Sequence, residues 1–203
     1  DISLTEDFTT AGATVITADS DGNGAGDFSI SMSKILSTEN NSLALTANDI
    51  TLAGSISSGT GATTIAVSDG GTIGLGGTAG NTTIDAAELA NITAGTLNIG
   101  NSSTGNITVD GITAGNSNNA TTVNLTTANA SSVSFSNNNS TFNALTVNGG
   151  GVSFGNGLTV TTDTGKLTLN SASITSAGAL TLAGATGIDF GSGVTFAAGG
   201  NLS

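Results

Sequence analysis

The residues whose types and spacing come nearest to a binding site are Asp19-Ser-Asp21-Gly-Asn23-Gly-Ala-Gly-Asp27. They set oxygen ligands at relative positions 1, 3, 5 and 9, the opening of a calcium loop. Carboxylates this close make sense where a cation offsets their repulsion. Position 12 of the pattern is Ile30 instead of the bidentate Glu, and no flanking helices are evident. The competing reading is a hydrated Asp/Asn/Gly hairpin turn inserted between two strands. Asp19, Asp21, Asn23 and Asp27 are the candidate metal ligands, and calcium is the one cofactor the sequence suggests.

Little else points to chemistry. Asp85 with Glu88, Asp110, Asp163 and Asp189 do not recur at one position of any repeat. Paired carboxylates can hydrolyse glycosides, but a sugar-cleaving site would also call on aromatic platforms or basic groups, and the chain has no Trp, Tyr, His or Arg. Serine is abundant, yet without His no ordinary nucleophile–base pair can form. The expectation is that the protein is not an enzyme. N-x-Ser/Thr sequons stand at Asn40, Asn81, Asn91, Asn101, Asn106, Asn119, Asn124, Asn129, Asn138 and Asn139, many of them chance products of the composition. Asn81, Asn101, Asn119 and Asn138 are kept as candidate glycosylation sites at exposed corners. Asn124 lies between Val123 and Leu125 and should point outward.

Charge narrows the partners. Fourteen acidic residues face only Lys34 and Lys166, a formal net charge of -12. No set of cations exists to displace phosphate counterions or to meet an anionic lipid surface, so nucleic acid and membrane surfaces are poor partners. No run of about 18 apolar residues is present either. The absence of Cys excludes a disulfide framework and thiolate metal sites. That absence, in so polar a chain, suits a large bacterial exoprotein better than a eukaryotic secreted one. The start at Asp1 and the end at Ser203, just after Leu202, read as a mature or excised segment.

The elements that would carry these residues are short strands. A mean hydropathy of +0.22 and a steady supply of Ile, Val and Leu argue against disorder, despite Gly at 31 residues. Apolar residues come as alternating pairs separated by Gly/Asn/Ser/Thr turns, a strand signal, while helical spacing is almost nowhere sustained. Every third pair returns after about 22 residues, a solenoid period. Leu145 leads to Leu167 and Ile188, Val152 to Ile174 and Val194, and Leu158 to Leu180 and Leu202. Upstream the rhythm is looser: Leu43/Leu45, Ile50/Leu52 and Ile56, then Ile65/Val67, Ile73/Leu75 and Ile84, then Leu97/Ile99, Ile107/Val109 and Ile112.

Strands of three to five residues are not stable alone but become so when coil stacks on coil about 4.8 Å apart. Three strands per coil give a parallel β-helix of about nine coils and roughly 45 Å. The absence of Pro suits strands paired on both sides. Glycines at 149–151, 155, 157, 184 and 187 are expected at corners, with φ > 0 or tight bends. One continuous domain is expected: coils with an inserted Asp/Gly-rich loop (19–27) over residues 1–40, then a regular shaft over 41–203. Outward residues should stack in ladders: Thr146, Thr168 and Asp189; Ser153, Thr175 and Thr195; Thr159, Thr181 and Ser203. A second outward column of Thr161, Ala183 and Asn170 is mixed, so no clean Thr-x-Thr face emerges.

The stretches LALTANDITLAGSISSG (43–59), TIDAAELANITAGTLNIGNSSTGNITVDGITA (83–114) and LTLNSASITSAGALTLAGATG (167–187) resemble the repeats of filamentous-haemagglutinin-like bacterial exoproteins, many of them secreted through a partner outer-membrane protein. The resemblance is of pattern and covers most of the chain from about residue 40. It implies a right-handed parallel β-helix (all-β class), and adhesion, biofilm-matrix or filament roles at the cell surface or outside the cell. The secretion domain that opens such proteins is not recognisable at residues 1–40, so a central shaft segment is the better match. Partners expected on this basis are adjoining chain or other copies stacked on the coil ends, and host or matrix glycans. Ice binding through Thr ladders and a carbohydrate-active β-helix remain as alternatives.

Overall fold

The computed structural model describes residues 1–192 and 194–198, the last of these by its backbone alone. Leu202 and Ser203, and with them the third members of two expected series, lie outside the described residues. The chain winds through about nine coils of parallel strands with almost no helix, a β-solenoid with coil returns of roughly 22 residues. Each coil runs over three faces. A first face starts with Ile2–Leu4, Phe28–Ile30 and Ile50–Leu52 and continues upward to Thr195–Ala198. A broad face stacks Thr14–Thr17, Leu43–Ala47, Ala62–Val67, Ile92–Ile99, Ala120–Thr126, Leu145–Gly149, Leu167–Ser171 and Ile188–Phe190. A third face carries Phe8–Thr9, Ile35–Ser37 and Ser55–Ser57 low in the stack, and Ser140–Phe142, Leu158–Thr162 and Leu180–Gly184 high in it.

Alternation decides which side chains make the core. In Leu43–Ala47 the first, third and fifth residues are buried and the intervening ones are not, and Leu145–Gly149 and Leu158–Thr162 begin the same way. Inward Leu, Ile, Val and Phe therefore form one continuous column from Phe28 to Leu180. Each contributes about 1.5–3 kcal/mol when removed from water. Register places like on like: Leu145 pairs with Leu167 and Leu167 with Ile188, while Phe135 sits under Phe154 with stacked rings 5.1 Å apart.

The outward series mostly stand as expected. Thr146, Thr168 and Asp189 are in register, as are Thr159 with Thr181 and Thr161 with Ala183. The last return of the first face is a correction. Ile174 pairs with Phe196, not Val194, so Ser153 and Thr175 are followed by Ala197, not Thr195. That return is 22 residues, like the one from Val152 to Ile174 before it, whereas Val194 would have come after only 20; Phe196, 43% exposed, takes the register position above Ile174.

The glycine expectation needs refining too. Gly157 and Gly187 do have φ of 73° and 119°, but Gly149, Gly150, Gly151, Gly155 and Gly184 do not lie in the left-handed region. Close approach explains Gly150, where a Cβ would stand 1.9 Å from the Asn129 carbonyl oxygen of the coil below.

The middle of the stack departs from the simple coil. Leu97 pairs with Thr63, 34 residues back, because the first face takes two strands here instead of one. Ile73–Gly76 and Thr82–Ile84 pair in parallel with each other, joined by only residues 77–81. The connection folds flat across the outer surface of Gly74, where a Cβ would lie 2.3 Å from the Thr78 oxygen. Only a residue without a side chain permits that return. In the next two coils single-turn helices, α1 (Ala86–Ala90) and α2 (Ala114–Ser117), pack on one another, and third-face pairing shrinks to Ile92 and Thr93 on Ile56 and Ser57.

Candidate functional site

Strand ladders must break where the backbone turns a corner, and stranded N–H groups there need other acceptors. Asp and Asn side chains supply them. Asp1 Oδ1 accepts from Asp27 N–H (2.9 Å), Asp27 Oδ1 from Asp49 N–H (3.2 Å), and Asp49 Oδ1 from Thr83 N–H (2.9 Å). Asp7, Asn40, Asn106, Asp110 and Asn139 do the same for Ile35, Thr60, Ser132, Asn138 and Thr159. In every case the acceptor belongs to the coil nearer the N-terminus. The sequence carries a signal for the first three: DISL, DFSI and DITL at 1–4, 27–30 and 49–52. Each begins with the corner aspartate and runs into a first-face strand.

The candidate calcium ligands fall into this scheme unevenly. Asp19 is buried, and its carboxylate accepts from the Ser68 hydroxyl (2.7 Å), Gly24 N–H (3.1 Å) and Asn23 N–H (3.4 Å). The Ser68 hydroxyl above all holds the Asp19 carboxyl below its ordinary range, against burial, which pushes the other way. Loop 19–27 is thereby tied to the turn at 68–70, two coils further on. Asp21 accepts from the Asn23 amide (2.8 Å). Asp27 points to the next coil, where Asn48 and Asp49 donate to it. Gly26, with φ of 126° and space for no Cβ within 2.5 Å of the Ala18 oxygen, lets the chain leave the loop. Asn23 thus donates to both Asp19 and Asp21 within the loop, whereas Asp27 is engaged by the next coil. Among the described residues no group of three or more His, Cys, Asp or Glu is placed to hold a metal ion.

The glycosylation candidates also differ among themselves. Asn81 is exposed and its carbonyl oxygen receives Thr72, while Asn101 is half-buried and receives Ser103 N–H. Asn119 and Asn138 are exposed but use their amide nitrogens, the atoms a glycan would take, to donate to the Ala90 carbonyl oxygen and to Asp110. Asn124 points outward as expected and donates to Asn98 of the coil below (2.9 Å).

Asp85 and Glu88 prove to be partners. Asp85 caps α1 by accepting from Ala87 and Glu88 N–H groups (2.8 Å each), and Glu88 Oε2 accepts Asp85 N–H in return (3.0 Å). A helix of one turn cannot persist alone, so this box and the buried Leu89 hold it. Glu88 Oε1 reaches down to Leu52 N–H (2.9 Å). Burial pushes the Glu88 carboxyl above its ordinary range, and these hydrogen bonds only partly offset it. The box is the D-x-x-E spacing in the sequence, read there as isolated acids.

Asp110 lies beneath the same corner and is buried. Burial raises its carboxyl, but three donors (the Asn137 amide, and the Asn138 amide and N–H) more than offset that and leave it below the ordinary range. Above Asp110 opens a cleft of about 670 Å³ between the doubled first-face strand, α1 and the coil of Asn138. It is a product of the irregular middle coils, so no periodic pattern could announce it. Set against protein-family profiles, curated proteins and solved structures, the chain matches none of them.

Proposed function

We propose that the chain is a structural and adhesive segment of a large extracellular bacterial protein, a stiff β-solenoid shaft. The observation that carries this reading is the continuous core column from Phe28 to Leu180, wrapped by parallel ladders and by side-chain hydrogen bonds between coils. Such a body resists bending because the broad-face ladder joins coil to coil without a break from Thr14–Thr17 to Ile188–Phe190. The resemblance to filamentous-haemagglutinin-like repeats supports the extracellular and adhesive part. Both ends show half-exposed aromatic side chains, Phe8 in the first coil and Phe190 and Phe196 in the last, each 43% exposed. A further coil, from adjoining chain or another copy, would cover them.

The outward column of the broad face runs Val15, Ala44, Thr64, Asn98, Asn124, Thr146, Thr168 and Asp189. A column that mixed suits ladders that brace the coils better than a template for ice. Electron microscopy and sedimentation over a range of concentrations test the proposal. Rods in whole multiples of about 45 Å are expected if copies stack, and uniform single rods if adjoining chain continues the shaft. Thermal hysteresis, or release of reducing sugar from polysaccharides, would replace this reading with one of the alternatives.

A further inference from the structure

The cleft above Asp110 opens where the irregular middle coils turn their corner. Its floor and rim include Gly76, Gly77, Asp85, Asp110, Thr113 and Asn139. Two of these residues separate what the fold needs from what the cleft needs. Gly76 is dictated by the backbone: φ is 86°, and a Cβ would lie 2.2 Å from the Asp110 carbonyl oxygen. Gly77 is not. Its backbone is open to any residue, and a Cβ would meet nothing nearer than the Asp110 Oδ2, at 3.5 Å. Leaving that position bare keeps the buried carboxylate reachable from the cleft.

We propose that this cleft binds an uncharged saccharide unit through Asp110 Oδ2 and the polar groups of its rim. Asp110 Oδ1 is occupied twice by Asn138, whereas Oδ2 receives only the Asn137 amide (3.1 Å) and keeps acceptor capacity. Asp85 spends Oδ1 on the helix cap and has Oδ2 left. The Asn139 amide adds a donor, the Thr113 hydroxyl being spent on Asn116 Oδ1 (2.6 Å), and the methyl groups of α1 offer an apolar patch to sugar C–H groups. The charge of Asp110 is already met by three N–H donors, which weakens its pull on a cation. Alternating hydroxyl donors and acceptors use the whole lining. The volume lies within the usual range of small-molecule sites. The proposal gives the adhesive reading a ligand class, but it stands or falls separately from the shaft.

Saturation-transfer NMR on the whole chain, with chitotriose, cellotriose and mannotriose as probes, decides it. Binding of at least one at millimolar dissociation constant or tighter is expected. Gly77→Val should weaken that binding about tenfold or more, with circular dichroism and melting unchanged. If that variant misfolds, Ala87→Leu, on the exposed side of α1 at the rim, gives the same reading. Silence from all three sugars overturns the proposal. So does binding that neither variant weakens, or a cleft that takes spermidine or calcium and no sugar.

Discussion

Two stretches of one solenoid solve the same packing problem differently. From Leu145 to Ile188 the coils return after 22 and then 21 residues, strand follows strand on all three faces, and corners are brief. From Thr63 to Val123 the returns are 34 and 26 residues, the first face is doubled, and third-face pairing shrinks where two helices pack on one another. Yet the inward residues of both stretches are equally buried: Leu97, Val123, Leu145 and Leu167 are all at 0% exposure. The invariant of the fold is therefore the inward apolar pair and its register, not the length of the coil. Length is absorbed wherever a corner can satisfy its own backbone, by Asx acceptors, a capping box or a glycine-lined return.

The comparison sharpens first on the core. Truncating Phe135, stacked on Phe154 in the regular stretch, should cost about 3–5 kcal/mol, the largest single effect expected. Chemical denaturation of Phe135→Ala would show it. A loss below about 1 kcal/mol would mean that coils are held chiefly by their hydrogen bonds.

The irregular stretch should break differently. Gly74→Val puts a side chain into the Thr78–Gly80 return, where no rotamer has room, and about 1–3 kcal/mol should be lost by overpacking. The same change at Gly157, whose Cβ would have nothing within 4 Å, should suffer only from its φ of 73°. Hydrogen exchange would then locate the damage of Gly74→Val in residues 62–110 and leave 145–190 protected.

What the sequence made legible follows from this division. Periodicity is a statement about inward residues, so the strand pairs, the parallel stacking and most of the register could be read from Leu145, Leu167 and their kin. Corners obey no period. The doubled strand at 73–84 looks like two ordinary pairs in the sequence, because Ile73/Leu75 and Ile84 alternate like any others. The shift from Val194 to Phe196 was hidden for the same reason, since both residues fit the alternation. The contacts of the candidate calcium loop could not be read this way. Loop 19–27 has the composition of a cation loop, but its burial against Ser68 and the outward pull on Asp27 depend on coils that lie 22 and 49 residues away. The signals that were present, the three Asp-led strand starts and Asp85-x-x-Glu88, are structural acids.

Those acids predict a pH response with two signs. Asp19 and Asp110 have folded-state values below the unfolded ones, so their stabilisation is present above about pH 4 and lost as pH falls through the folded values. Glu88 is raised, so its penalty is felt at neutral pH and relieved as the folded carboxyl takes up a proton. Thermal melting of the wild type should rise as pH drops from neutral toward the folded value of Glu88, then fall in stronger acid. Relief of the net negative charge also contributes to the rise. Glu88→Gln should flatten the rise, and Asp110→Asn the fall. A wild-type profile that only declines on acidification would contradict the assignment of Glu88.

The smallest expected effect tests how complete the regular stretch is. Among the described residues, the Ser171 hydroxyl at the end of Leu167–Ser171 is the one buried side-chain polar atom without a hydrogen-bond partner. It sits in register with Gly149, beside the corner of Gly191 and Ser192. A buried hydroxyl without a partner carries a desolvation penalty that its removal relieves, so Ser171→Ala should be neutral or stabilising by a few tenths to about 1 kcal/mol. The matched control is Thr162→Val, in the neighbouring strand, whose hydroxyl donates to the Gly165 carbonyl oxygen at 2.7 Å. That change should destabilise by about 1 kcal/mol. Opposite signs from two buried hydroxyls in adjacent strands would show that even the regular coils are limited by their corners. If Ser171→Ala destabilises as much as Thr162→Val, Ser171 has a partner and the corner at 191–192 closes over it.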